Sequence, residues 1–218
     1  MVKEKKETIL VFCAHNDDGV IGAGGTLAKY AQEGKTIKTV VFSFGEQSHP
    51  HIKPQIIKFK RYEEALKADK IMGGGGIAFL DLREMRLRAD AQQKGTDDLI
   101  KEIILHEKPS KIFTHSINDP MPDHRAVHRL VLEVVKTIDL PLEVYEFDVW
   151  NILNIFHRDF PKLVVDVSDT FATKIKAFKA HSSQKGALIT LTWKLYLQAI
   201  SHGLTFGYTY AEVFSRVR

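Results

Sequence analysis

Three side chains in four residues carry the first readable chemistry. His15, Asp17 and Asp18 stand directly after the apolar run Ile9-Leu10-Val11-Phe12-Cys13-Ala14. An imidazole and two carboxylates at one strand tip can hold a divalent cation, with one carboxylate left over to take a proton. The same residues can also do less, because an aspartate pair after a strand caps the next helix or sits in a solvated loop. A second cluster lies far along the chain: His115-Ser116-Ile117-Asn118-Asp119-Pro120-Met121-Pro122-Asp123-His124-Arg125-Ala126-Val127-His128. Pro120 and Pro122 force an extended segment. A helix is expected from about Asp123, whose carboxylate can cap it. His124 and His128 then stand four apart on one face. Such a pair can grip one metal, or His124 can face the site while His128 packs or points to solvent. His49 and His51 fall in a polar loop, where imidazoles are mostly solvated.

These clusters need elements to position them. Residues 9–13 read as a strand covered on both faces, apolar without alternation. A helix is expected over 20–33, stopped by Gly34. Further strands are expected at 36–44, 77–80, 111–115, 142–149 and 162–167, with helices at 56–72, 97–106, 123–137, 170–181 and 188–200. Alternating strands and helices predict an α/β three-layer sandwich around a mostly parallel central sheet. In such sheets ligands bind at the carboxyl ends of the strands, where His15, Asp17 and Asp18 would sit. The strand order is not written in the sequence. With 218 residues and no Pro- or Ser-rich linker, a single domain over 1–218 is expected.

Composition narrows the function classes. Lysine and arginine (31) are scattered among aspartate and glutamate (27), for a formal charge of +4. No basic run or nucleic-acid motif appears, so nucleic-acid binding is not expected. A single cysteine, Cys13, excludes an internal disulfide and any multi-cysteine zinc site. The first six residues are charged and lack an apolar signal core. No apolar segment is long enough to span a bilayer. A cytoplasmic protein without a membrane span is the expectation. Gly22, Gly24 and Gly25 allow close backbone approach, but their spacing is not that of a dinucleotide fingerprint.

Taken together, the two clusters resemble the LmbE-like family, which includes the PIG-L de-N-acetylases of N-acetylglucosamine derivatives. Ala14-His15-Asn16-Asp17-Asp18 resembles that family's Ala-His-Pro-Asp-Asp motif, and Gly22-Ala23-Gly24-Gly25-Thr26 its following glycine-rich turn. Arg61-Tyr62-Glu63-Glu64-Ala65 resembles its Arg-Arg-x-Glu-Ala helix. Asn118 to Arg125 resembles its His-Pro-Asp-His segment. Lys174 through Ser183-Gln184, and Gly207 through Phe214, resemble its C-terminal signatures. The resemblance implies a Rossmann-like fold and a zinc-dependent (or other divalent-metal) hydrolase that removes acetyl from an N-acetyl amino sugar. It implies that His15, Asp18 and His124 hold the metal, which selects His124 over His128. It assigns Asp17 as the general base that activates the metal's water. Arg61 and, more distantly, Glu84 are implied to meet the substrate, with Asp123 outside the ligand set. The implied partner is a small N-acetyl sugar; a homo-oligomer is left open.

Three positions depart from the pattern. Asn16 replaces the motif proline, and Gly19 stands where glutamate is common. Met121 occupies the first histidine of His-Pro-Asp-His. That histidine is implied to protonate the leaving amine or to stabilise the oxyanion, and a thioether does neither. His115, Asp119 and Asp123 are the nearest substitutes in sequence. A catalytically weak or inactive metal- and sugar-binding module is therefore the alternative expectation. A phosphate-accepting receiver domain also carries acids after its first strand, but gives no place to His124 or to the C-terminal signatures. Substrate choice falls to the loops at 45–55 and 150–160, where Trp150, Phe156 and Phe160 suit either a sugar face or the core.

Overall fold

The computed structural model describes residues 6–49, 51–151 and 161–218. Phe156, Phe160 and the first five residues lie outside that set. The element order is β1 (Thr8–Cys13), α1 (Asp18–Gln32), β2 (Thr36–Val41), α2 (Pro54–Met72), β3 (Ile77–Phe79), α3 (Leu87–Lys94), α4 (Thr96–Glu107), β4 (Lys111–His115), α5 (Pro122–Lys136), β5 (Glu143–Phe147), β6 (Lys162–Asp166), α6 (Phe171–Lys179), α7 (Lys185–Phe206) and β7 (Ala211–Arg216). Among the described residues one seven-stranded sheet runs β3-β2-β1-β4-β5-β7-β6. Neighbouring strands from β3 to β5 pair in parallel. β7 is antiparallel to both β5 and β6. The α/β sandwich with a mostly parallel sheet is therefore the architecture.

Side-chain alternation on β1 sorts the two helix layers. Ile9, Val11 and Cys13 join one core with residues of α1, α2, α6 and α7. Leu10, Phe12 and Ala14 join the other with Leu87, Ile100, Ile104, Val127 and Val131 of α3, α4 and α5. Both faces are covered, which is why the strand is apolar without a break. Helix α1 lies close on the sheet because Gly22 has no side chain: a Cβ there would come within 2.1 Å of the Phe147 ring.

The chain leaves β1 toward β2 and β3, then returns to lay β4 on the other side of β1. That reversal opens a crevice at the carboxyl ends of β1 and β4, the place where open α/β sheets bind ligands. His15 follows β1, and His115 ends β4.

Two elements differ from expectation. Residues 87–94 form a helix that the sequence does not announce, because Leu87 and Ala91 supply most of its apolar face. Helix α7 runs from Lys185 to Phe206, well past both expected ends.

Candidate active site

The crevice gathers histidines and carboxylates from three segments. Helix α1 starts at Asp18, with Asp17 at its N-cap, so the strand-to-helix turn is tight. Asp18 Oδ2 accepts the backbone N–H of His15 at 2.7 Å, folding the turn onto itself. A side chain at residue 19 would bring its Cβ within 2.9 Å of the buried Cys13 Sγ, which gives Gly19 a packing reason.

His15, Asp18 and His124 come together: one ligand atom from each lies within 4.8 Å of the others, and all three are buried. His124 Nε2 is 3.4 Å from Asp18 Oδ1, and His15 Nδ1 is 3.5 Å from Asp18 Oδ2. His15 Nε2 and His124 Nε2 are buried with no hydrogen-bond partner among the described residues. Burial alone would lower the pKa of both imidazoles. The carboxylates overcome it: Asp123 and Asp18 raise His15 to about 10, and Asp18 with Asp119 raises His124 to about 9. Burial also opposes ionisation of Asp18, yet His124 and His115 hold its carboxyl well below the usual range. Orphaned imidazole nitrogens around a buried carboxylate are the donor set and charge balance that a divalent cation requires.

His128 takes no part. Its Nδ1 lies 2.9 Å from the His115 carbonyl oxygen and 3.1 Å from Glu146 Oε1, away from the three-residue group. Asp123 does not cap α5: the N-cap is Met121, and Asp123 Oδ2 instead accepts the Met85 N–H at 2.8 Å. The same oxygen lies 3.5 Å from His15 Nε2. Glu84 Oε1 lies 3.8 Å from His15 Nε2, while Oε2 accepts the Gln47 N–H at 2.7 Å. Met85 sits at φ 61°, a left-handed conformation unusual for its type, and the Asp123 contact holds it there.

Asp17 is not one of the three. Its Oδ1 accepts from Arg61 Nη2 at 3.2 Å. Arg61 is only 3 % exposed, and its Nη1 donates to the Gly45 carbonyl at 2.9 Å. Each terminal nitrogen thus holds one partner on the chain, and the guanidinium positions Asp17. Asn16, in place of the motif proline, donates its Nδ2 to the Arg61 carbonyl at 3.0 Å and ties the turn to α2.

Three residues complete the surroundings: His115 and Asp119, named above as possible substitutes for the missing acid, and His181, which carried no assigned role. His115 Nε2 accepts the Ala14 N–H at 2.9 Å, and its ring stacks on His124 with centroids 4.0 Å apart. Burial and the neighbouring His124 charge push its pKa down to about 4. Asp119 Oδ1 lies 2.9 Å from His124 Nδ1, close but out of line for a hydrogen bond. Its Oδ2 accepts the Val149 and Trp150 N–H groups. Burial opposes its ionisation, but His124 and the Trp150 and Met121 N–H groups bring its pKa down to about 2. His181 is fully buried, with neither ring nitrogen hydrogen-bonded among the described residues, in range of the charges of Asp17, Arg61 and Glu64. The only sequence signal for His181 is its place beside Ser182-Ser183-Gln184. Those serines anchor to Glu64 of α2, with Ser183 Oγ donating to Glu64 Oε2 at 2.6 Å.

Comparisons with known proteins meet this geometry. The diacetylchitobiose deacetylase of Thermococcus kodakarensis is 26 % identical over 94 % of this chain and 80 % of that protein. The 4-oxalmesaconate hydratase of Pseudomonas putida is 30 % identical over 59 % of this chain and 51 % of that protein. Among solved structures, the 4-carboxy-2-hydroxymuconate hydratase GalB of Pseudomonas putida superposes with a TM-score of 0.84 at 23 % identity, covering 97 % of this chain and 96 % of that one. A family model described as PIG-L, GlcNAc-PI de-N-acetylase, matches residues 10–135. That span is more than half of the sequence and takes in the strand-tip turn, Arg61 and His124, so the chain belongs to the PIG-L family.

Proposed function

We propose that this protein is a metal-dependent hydrolase that removes acetyl from an N-acetyl amino sugar. The observation that carries the reading is the convergence of His15, Asp18 and His124, two of them with orphaned imidazole nitrogens, beside an Asp17 that is held by Arg61 and left out of that group. His15, Asp18 and His124 would hold a divalent ion, zinc being suited to two imidazoles and a carboxylate. Such an ion, when bound, supplies Lewis acidity: it brings the pKa of a water near 7 and polarises a carbonyl.

The chain's own groups do the rest. Asp17, fixed by Arg61, accepts the proton of the attacking water. Asp119 sets its negative charge 2.9 Å from His124 Nδ1, on the side away from Asp18. Glu84 and Asp123 line the outer side of His15 and suit a substrate rich in hydroxyl donors. Acetate leaves as the amine takes the proton that Asp17 accepted from the water.

Deacetylases of N-acetylated sugars among the relatives support this reaction class. Full-length protein loaded with zinc and given N,N′-diacetylchitobiose is expected to release acetate. Metal-replete protein that releases none from a panel of N-acetyl sugars would refute the reading.

Asp119→Asn is expected to weaken zinc binding about 10–100-fold, the usual cost of losing a carboxylate behind a ligating imidazole. Competition against a chromogenic chelator measures it; unchanged affinity would separate Asp119 from the metal site.

One observation favours a second reading on the same site. Met121 leaves the position of the leaving-group acid without a proton donor, and a hydratase has no amine to protonate. The similarity to a Pseudomonas putida hydratase, in sequence and in fold, makes water addition to an unsaturated carboxylic acid the competing reaction. Against it, the crevice is crowded with carboxylates (Asp17, Asp18, Glu84, Asp123), which repel a multiply anionic substrate. Met121→His separates the two. On the deacetylase reading it restores a general acid and raises acetate release by about 10²-fold, the low end of general acid–base help. On the hydratase reading acetate is never formed and the substitution gains nothing.

A further inference from the structure

Helix α7 is apolar on two opposite sides. Leu191, Leu195 and Ala199 face inward and are buried in the core beneath the sheet. Ile189, Trp193, Tyr196, Leu197, Ile200 and Leu204 face outward and are each between 38 and 79 % exposed. At 100° per residue these six fall within one arc of about 100°, along two rows spaced four residues apart. One-sided amphipathicity is what a surface helix needs; a helix apolar on both sides is one that is covered on both sides.

The outer stripe is large. At about 150–250 Å² for a big side chain, the exposed fractions leave roughly 650 Å² of apolar surface on one helix face. Monomers rarely expose a contiguous patch beyond about 300–600 Å². The area matches the roughly 600–1,000 Å² that each partner contributes to a stable interface. The stripe is also uncharged. Between Lys185 and Arg216 the sequence holds only Lys194 and Glu212 as charged residues, and both are buried.

We propose that this face is where two copies of the chain associate, α7 against α7 about a two-fold axis. In such a contact the same patch meets itself, so any charge on it would have to find an opposite charge on the same patch; a neutral stripe meets no such demand. A dissimilar protein partner is usually steered by complementary charge, and this surface offers none. A helix lying on a membrane surface carries several lysines or arginines along its polar face, whereas α7 has one exposed cation, Lys185 at its first residue. The two four-residue rows form ridges that fit the grooves of an identical helix.

Sedimentation of the full-length protein at micromolar concentration tests the assignment. The wild type is expected at twice the monomer mass or at a multiple of it. Leu197→Glu and Trp193→Glu are each expected to raise the dimer dissociation constant at least 100-fold, with the far-UV circular dichroism unchanged. Leu197→Lys mixed with Leu197→Glu is expected to recover association. A wild type that sediments as a monomer overturns the proposal, whether or not it floats with phosphatidylcholine vesicles. So does an assembly that survives both glutamate substitutions, or one that dissolves only on Phe59→Glu, which would move the contact to the exposed side of α2.

Discussion

Asp17→Asn is expected to lower kcat/KM for acetate release by about 10²–10⁴-fold, the contribution of a positioned general base, while zinc content stays at the wild-type level. The substitution is nearly isosteric. An asparagine oxygen still accepts from Arg61 Nη2, which sits 3.2 Å from Asp17 Oδ1. The Asp17 carbonyl still accepts the Ile21 N–H that starts α1, at 3.0 Å. The ligand group of His15, Asp18 and His124 does not include Asp17, so the ion has no reason to leave. What is lost is the capacity to take a proton. Acetate assays with elemental analysis of the same preparation give both quantities. Undiminished turnover would remove the proposed base. Lost zinc with lost turnover would show instead that Asp17 belongs to the metal's own ligands.

Much of this site is legible before any coordinates. His15, Asp17 and Asp18 are contiguous, and a buried strand ending at a histidine announces that something beyond packing happens there. His124 is legible through its motif, whereas spacing alone also allowed His124 and His128 to grip one metal as a pair. The residues that organise the ligands are harder to read because topology, not local pattern, recruits them. His115 reaches Ala14 only because β4 returns to pair with β1, and strand order is absent from the sequence. Asp119 sits between turn residues, and its use depends on where β5 delivers Val149 and Trp150, just past its end. His181 is brought near Asp17 by the docking of Ser182 and Ser183 on Glu64. Arg61 was legible as a site residue, but its direction was not: it faces Asp17 and the Gly45 carbonyl. Helix α7 was underestimated for a related reason. A helix apolar on two sides shows no 3.6-residue contrast, so its periodicity ends before the helix does.

Lys174→Met is expected to destabilise the fold by about 3–5 kcal/mol, the cost of stranding one member of a buried ion pair. Lys174 and Glu212 are both at most 5 % exposed, and Nζ lies 2.6 Å from Oε1. The glutamate is not a simple counter-ion. Its two oxygens also accept the N–H groups of Gly25, at 3.1 Å, and Thr26, at 2.8 Å. The pair thus joins α6 and β7 to the middle of α1, the helix whose first residue is Asp18. Replacing both charges by apolar side chains is often neutral for an isolated buried pair. Here Lys174→Met combined with Glu212→Leu should recover only in part, because it also removes the two bonds that Glu212 accepts from the Gly25 and Thr26 N–H groups. For a chain of this size the single change corresponds to a melting point lower by roughly 10 °C. Urea unfolding at constant slope measures it directly. A loss under 1 kcal/mol, or full recovery in the double variant, would mean that the anchoring of α1, and with it the position of Asp17 and Asp18, rests on apolar packing alone.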